Sequence, residues 1–335
     1  MIKIEHLVKQ FGEIRAVDDI SFEVKEGEVV GFLGPNGAGK TTTMNMITGY
    51  LSSTSGSAVI DGIDILDQPL EAKRRIGFLP EQPPLYLDMT VEEYLNFIYD
   101  LKGCTLNRRK HLMEICEVVR IVEVYRRIIR NLSKGYRQRV GIAQALVGNP
   151  KVIIFDEPTV GLDPKQIVEI RTLIRTLGRN HTVILSTHIL PEASAVCERI
   201  VVINKGKLIA NEKTEDMAKV VDGNRRLSVR IAGPTDAVLR TVRATQGIAH
   251  AELIGHKEGD AHTYLIESEP GVDSRRPLFY SLAQSDFPIL GEESMGTNLE
   301  DVFLALLDKN DERKRLKREA VTKAGNTKII DRTGK

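Results

Sequence analysis

The sequence predicts an α/β fold built around a phosphate-binding loop, with a helical block inserted in it and a small α+β domain after it. Three observations predict it. Residues 34–41 read Gly34-Pro35-Asn36-Gly37-Ala38-Gly39-Lys40-Thr41, a complete GxxxxGKT loop set between an apolar strand-like run and a helical segment. Continuous apolar runs within residues 151–157 and 182–187 have the character of strands covered on both faces. Beyond about Arg225 the pattern shifts to short strands alternating with helices.

In chain order, the segment up to about Gly27 alternates as strands with a turn at Phe11-Gly12, and residues 28–33 form the apolar strand that enters the loop. A helix over residues 41–51 follows. Asp61-Gly62 between two apolar runs predicts a hairpin. Thr90-Val91-Glu92-Glu93 is a capping box that opens a helix with Val91, Tyr94, Leu95, Ile98 and Leu101 on one face. A second helix spans about residues 108–122, and Ser133 caps a third that runs to Val147 and stops at Gly148 and Pro150. Residues 90–148 therefore form the helical block. The strand over 151–157 ends in two carboxylates, Asp156 and Glu157, and Asp163-Pro164 starts the next helix, which ends before Gly178. The strand over 182–187 ends at His188.

The C-terminal segment reads strand 227–231, helix from Pro234, strands near Ala251 and Tyr264, helix near Leu278, strand near Ile289 and a helix over 299–307. That β-α-β-β-α-β order is the ferredoxin-like one. The expected domains are residues 1–220, residues 225–308 and a tail over 309–335.

Bulk properties agree with a chain of this kind. At 335 residues it exceeds one ordinary core, so two domains are expected. It is 41% hydrophobic and 28% charged with no Trp, ordinary values for a globular α/β protein. No apolar run approaches the roughly 20 residues of a membrane span, and Met1-Ile2-Lys3-Ile4 opens no signal peptide, so a cytoplasmic chain is expected. Cys104, Cys116 and Cys197 have neither disulfide-framework nor zinc spacing. The net charge is +1, yet ten Lys or Arg face four Asp or Glu from Lys309 onward. That stretch reads as a solvated, poorly ordered terminus rather than a lipid or RNA contact.

The loop carries the chemistry. Its glycines let backbone N–H groups turn toward phosphate oxygens, Lys40 reaches the β and γ phosphates, and Thr41 ligates Mg²⁺. The phosphates then sit at a helix N-terminus, where unpaired N–H groups and the dipole favour an anion.

Four further motifs follow in order: Leu132-Ser133-Lys134-Gly135-Tyr136-Arg137-Gln138, Ile153-Ile154-Phe155-Asp156-Glu157-Pro158, Gly161-Leu162-Asp163 and Ser186-Thr187-His188. Together with the loop, over residues 1 to about 220, they resemble the nucleotide-binding subunits of ABC transporters. The resemblance implies a P-loop NTPase core with an inserted helical subdomain, ATP and Mg²⁺ as ligands, and ATP hydrolysis. It places Asp156 on Mg²⁺ through water, Glu157 as general base, His188 on the γ-phosphate and Phe11 on adenine. Lys40 joins Glu157 and His188 in catalysis, and Thr42 and Asp163 join the nucleotide-binding set. It further implies that Ser133 and Gly135 contact ATP held by an opposite subunit, so that a two-fold dimer closes on two ATP molecules.

Two departures stand out. Glu81 occupies the position where the family usually has Gln, with Gln82 displaced by one, so either residue is the candidate for the γ-phosphate and Mg²⁺ contact. The signature reads LSKGYRQ, with Tyr136 replacing the usual Gln. These variants, the stretch over residues 79–95 and the terminal Asn298-Leu299-Glu300-Asp301-Val302-Phe303 resemble bacterial ABC-2 type export ATPases, including gliding-motility-type and copper-processing-type members. That branch carries a small C-terminal domain, read here as a dimerisation or regulatory element. It implies a separate ABC-2 type permease, contacted through Tyr86, Leu87 and Met89, a location on the inner face of the cell membrane, and no nucleic-acid partner. Two other readings fit less well. A ribosome- or DNA-acting ABC protein would carry paired cores or long coiled coils, and a module without turnover would not need Lys40, Asp156, Glu157 and His188 together.

Overall fold

The computed structural model describes residues 1–217, 226–269 and 272–295. The helix expected over 299–307, the 298–303 motif and the basic stretch lie outside them. Two compact units divide between Thr214 and Glu215.

The first unit joins an antiparallel sheet to a mostly parallel one. Strands β1 (Ile2–Phe11), β2 (Ile14–Val24), β4 (Ser55–Ile60) and β5 (Ile63–Asp64) form the antiparallel sheet in the order β2-β1-β4-β5. Asp61 and Gly62 both take positive φ, 50° and 82°, the conformation that a two-residue hairpin requires. The second sheet has the order β10-β9-β3-β8-β7-β6, formed by β3 (Val29–Leu33), β6 (Ile76–Leu79), β7 (Val152–Asp156), β8 (Thr182–Thr187), β9 (Arg199–Asn204) and β10 (Lys207–Lys213). All its neighbours are parallel except β10 on β9. β3, β7 and β8 are buried along their whole length, as continuous apolar strands covered on both faces should be.

Register makes this sheet a site-builder. Leu33 pairs with Thr187, Asp156 with Ser186, and Leu79 with Phe155. Four neighbouring parallel strands thus end together, and the residues that follow each strand meet at one edge, the usual place for a ligand in an open α/β sheet.

Helix α1 (Lys40–Ile47) leaves the loop and is shorter than expected, because Gly49 at φ 67° terminates it. α2 (Pro69–Arg74) precedes β6. The helical block comprises α3 (Val91–Leu101), α4 (Arg108–Val118) and α5 (Lys134–Leu146), with the Thr90–Glu93 capping box formed. α4 ends before the expected Val122, since Arg120 at φ 59° turns the chain out of the helix. Leu101 is exposed and Tyr99 takes its place in the core. The far end of α5 is held by the half-buried Lys102, whose Nζ donates to the carbonyls of Val147 at 2.8 Å and Ala145 at 3.2 Å. Burial pushes that amine down to about 8. α6 (Pro164–Gly178) and α7 (Leu190–Val196) pack on the sheet, with Ala193 and Cys197 close against Gly31 of β3.

The second unit has the order β11 (Arg226–Ala232), α8 (Thr235–Ala244), β12 (Ile248–Glu258), β13 (Ala261–Ser268), α9 (Arg275–Gln284) and β14 (Ile289–Met295). Its antiparallel sheet runs β12-β13-β11-β14, the strand order of a split β-α-β arrangement. Leu227, Val229 and Ile231 alternate inward against Val238, Val242, Leu278 and Leu282 of the two helices.

Candidate functional site

At the sheet edge a cleft of about 400 Å³ is lined by Asn36, Gly37, Gly39, Lys40, Thr41 and Thr42 of the loop, and by Ala16, Glu81, Glu157, Val160 and His188. Nine of the candidate site residues singled out in the sequence line it. Gly34, Pro35 and Ala38 shape the loop from behind. A Cβ on Gly34 would lie 2.4 Å from the Ile203 carbonyl oxygen, so the loop can pass β9 only without a side chain there. Gly39 takes φ 107°, and a Cβ on it would lie 2.5 Å from the Ala16 carbonyl oxygen. The helix start behind it has no side-chain cap and no acidic residue in its first turn, which leaves its N–H groups available to an anion.

Three ionisable side chains form a compact cluster. Lys40 is buried, and its Nζ donates to the Gly34 carbonyl at 2.9 Å and lies 3.3 Å from Glu157 Oε1. His188 Nδ1 lies 2.9 Å from both Glu157 carboxylate oxygens. Glu157 itself sits in the left-handed region at φ 50°, with its N–H donating to the Ser186 carbonyl at 2.9 Å. That kink turns its carboxylate out of β7 into the cleft, whereas Asp156, one residue earlier, stays inside the sheet edge.

Asp156 is fully buried, and neither carboxylate oxygen has a hydrogen-bond partner. Burial holds its carboxyl above the usual carboxylate range, while the Ser186 and Thr41 hydroxyls and Lys40 pull the other way without satisfying it. Ser186 Oγ is likewise buried and unpartnered. An orphaned carboxylate beside a threonine hydroxyl is a hard oxygen set that fits Mg²⁺, which binds through one or two protein oxygens plus substrate phosphates. Among the described residues no group of three His, Cys, Asp or Glu side chains could hold a metal by itself, as expected for an ion that needs the phosphates.

Glu81 lines the cleft, delivered by β6, whereas Gln82 does not, and both side chains are exposed. Phe11 is 49% exposed at the end of β1, with Lys9 Nζ 5.2 Å from its ring centroid. Ser133, Gly135 and Asp163 are not in this cleft. They line a second one of about 310 Å³ with Tyr136, Arg139 and Gln166. Ser133 caps α5, and Asp163 caps α6 by accepting from Gln166 N–H at 2.9 Å. The hydroxyl of Tyr136 donates to Glu123 at 2.8 Å, which ties the unusual signature residue to the helical block. Gln138 Nε2 donates to the Pro158 carbonyl at 2.8 Å, joining α5 to the loop after Glu157. Tyr86 and Leu87 are exposed and Met89 half-buried, and Tyr86 meets Phe97 edge-on at 5.3 Å. The sequence pattern assigned no role to Thr159, Thr187 or Glu192, although Thr187 stands inside a motif; the three form a buried hydrogen-bonded group.

A model of the ABC transporter family matches residues 17–160. The bacitracin transport ATP-binding protein BcrA of Bacillus licheniformis is 38% identical over 310 residues, covering 92% of this chain and 97% of that protein. This chain belongs to the ABC transporter ATP-binding family. The Nod factor export ATP-binding protein I of Ralstonia nicotianae is 33% identical over 91% of the chain and 93% of its own length. The dimeric bacterial ABC transporter cassette MJ0796 superposes with a TM-score of 0.59 at 32% identity, covering 64% of this chain and 99% of the cassette. The same cassette is known in a dimeric post-hydrolysis state bound to ADP and Pi. The chain is thus the ATP-binding, ATP-hydrolysing subunit of an ABC transporter, of the kind that dimerises and works with a membrane permease. Among the described residues no helix is long and apolar enough to cross a membrane.

Proposed function

We propose that this subunit closes as a homodimer on two Mg²⁺-ATP and drives a separate ABC-2 type permease in export, from the inner face of the cell membrane. The observation that carries the hydrolytic reading is the Glu157 carboxylate, held 2.9 Å from His188 and 3.3 Å from Lys40 beside the phosphate loop. In this reading Lys40 leaves the Gly34 carbonyl and Glu157 for the β and γ phosphates. Freed from the ammonium, Glu157 takes a proton from the attacking water, and His188 contacts the γ-phosphate while orienting the carboxylate. Asp156, Thr41 and Glu81, which lines the cleft where Gln82 does not, would hold Mg²⁺. Bound there, the ion would neutralise charge developing on the phosphate oxygens. Phe11 offers an exposed ring to adenine.

Ser133, Gly135 and Asp163 serve the ATP of the opposite copy, consistent with their place in a separate cleft. Loss of the γ-phosphate then removes the contacts that bridge the two halves. The export direction is supported by relatives named for Nod factor export and for a lipopolysaccharide export system. The gliding-motility or copper-processing branch is the finer placement that the signature and residues 79–95 support. The domain scheme of residues 1–220 and 225–308 belongs to the same proposal, with the C-terminal domain as a dimerisation or regulatory element. Affinity purification from membranes tests it. Recovery of a six-helix membrane protein that raises the ATPase rate supports the reading, and recovery of ribosomes or DNA-bound proteins instead overturns it.

A further inference from the structure

Glu192 lies on α7, four residues beyond His188, and is 3% exposed. Its Oε2 accepts from the Thr159 hydroxyl at 2.6 Å and from the Thr187 hydroxyl at 3.2 Å. Its Oε1 lies 3.8 Å from Arg171 Nη2 on α6. Both threonines are themselves buried. The two segments it ties together are the ones that set the hydrolytic pair: Thr159 is two residues after Glu157, and Thr187 immediately precedes His188. Thr187 Oγ also accepts from the Ile189 N–H at 3.1 Å, which closes the turn beyond His188.

We infer that Glu192 is a positioning residue, whose buried carboxylate holds the loop after β7 and the end of β8 in the one arrangement that puts Glu157 and His188 at 2.9 Å. This rests on the reading of Glu157 and His188 as the hydrolytic pair. The physical case is that Glu157 stands in a left-handed backbone conformation on a loop of its own, and such conformations persist only where the surroundings over-determine them. A buried carboxylate that accepts from two hydroxyls on two strand ends supplies that constraint, because charge-assisted hydrogen bonds are the stronger and more directional ones. Pro158 is fixed from the other side by Gln138. With the anchor gone, the strand ends remain in the sheet, and the lost constraint falls on the position of the carboxylate in the cleft. Misplacement of a reacting group by about 1 Å is enough to cost on the order of a hundredfold in rate.

The test uses the full-length chain with Mg²⁺-ATP and reads kcat, KM and thermal midpoint for Glu192→Ala, Glu192→Gln, Thr159→Val and the Glu192→Ala/Thr159→Val double variant, with Glu157→Gln as reference. Glu192→Ala is expected to lower kcat about tenfold or more while KM for ATP changes less than about twofold. Glu192→Gln keeps an acceptor oxygen for the threonines and recovers most of the loss. The double variant is no slower than Glu192→Ala alone, because the two groups act through one contact. A Glu192→Ala chain with wild-type kcat, or a double variant whose losses simply add, overturns the inference. Should Glu192→Ala fail to fold, Glu192→Gln and Thr159→Val decide: a kcat loss in Thr159→Val at unchanged KM supports the inference, and wild-type kcat in Thr159→Val overturns it. Wild-type turnover in Glu157→Gln would instead defeat the hydrolytic reading on which the inference stands.

Discussion

Replacing Glu157 by Gln changes one atom in shape and removes the base. In the structure both Glu157 oxygens are within 2.9 Å of His188 Nδ1, so the amide oxygen of Gln can still accept from that ring. The side chain is buried and enters the cleft from a kinked backbone that Gln preserves. Folding should therefore be nearly unaffected, and the change isolates proton abstraction. General-base catalysis is worth roughly 10² to 10⁴ in rate, or about 3 to 5 kcal/mol of barrier. Phosphate release from Mg²⁺-ATP should fall by that factor. ATP binding should hold or tighten, because Lys40 loses the carboxylate 3.3 Å away that competes with phosphate for its ammonium. Equilibrium binding of ATP and steady-state phosphate release, measured on the same preparation, separate the two effects. A Glu157→Gln chain that turns over within about tenfold of wild type would show that another group takes the proton, and the assignment would fail.

Two further outcomes follow from the geometry. Gly39→Ala forces a Cβ to 2.5 Å from the Ala16 carbonyl at φ 107°, so it should destabilise the fold by about 1 to 3 kcal/mol and abolish ATP binding, read by thermal melting with and without nucleotide. Glu28 accepts from Arg199 Nε at 2.7 Å and Nη2 at 2.9 Å, tying the start of β3 to β9. Burial opposes its ionisation, but Arg199 and the Lys25 N–H outweigh it and hold the carboxyl below the usual range. A lowered folded value means that the unfolded chain binds the proton first, so this stability is present above pH about 4.5 and is lost as pH falls through the folded value. Glu28→Gln should flatten that part of the acid-unfolding curve and cost about 2 kcal/mol at pH 7, and an unchanged acid slope would refute the assignment.

The sequence was most informative where a motif coincides with a strand end. The loop, Asp156, Glu157 and His188 could be read because continuous apolar runs stop immediately before them, and the parallel sheet brings those ends together. Glu81 against Gln82 could not be settled by reading, since a one-residue offset is decided by how β6 leaves the sheet after Leu79. Residues 190–213 received no element from the sequence pattern. α7 is only seven residues long with Pro191 as its second residue, too short to show a helical period, and β9 is an apolar run of a length that periodicity does not assign. The expected end of α4 at Val122 overran because the apolar pattern continues while Arg120 adopts a left-handed turn that no residue type announced. Glu192 was invisible for a different reason: Thr159, Thr187 and Glu192 become neighbours only when β7 and β8 lie side by side.

The central claim is that Lys40 and Glu157 make half a site, completed by Ser133 and Gly135 of a second copy. Mixing two inactive chains tests it most directly. A Lys40→Ala chain retains its signature and a Gly135→Asp chain retains its loop; the carboxylate added at Gly135, where the nearest atoms to a new Cβ belong to the Gln166 side chain, repels the γ-phosphate bound by the other copy. Each alone should be inactive. Co-expressed in equal amounts they form half mixed dimers with one intact site each, and the ATPase rate should recover to about a quarter of wild type. Continued inactivity of the mixture, or full activity of the Gly135→Asp chain alone, would contradict a composite site.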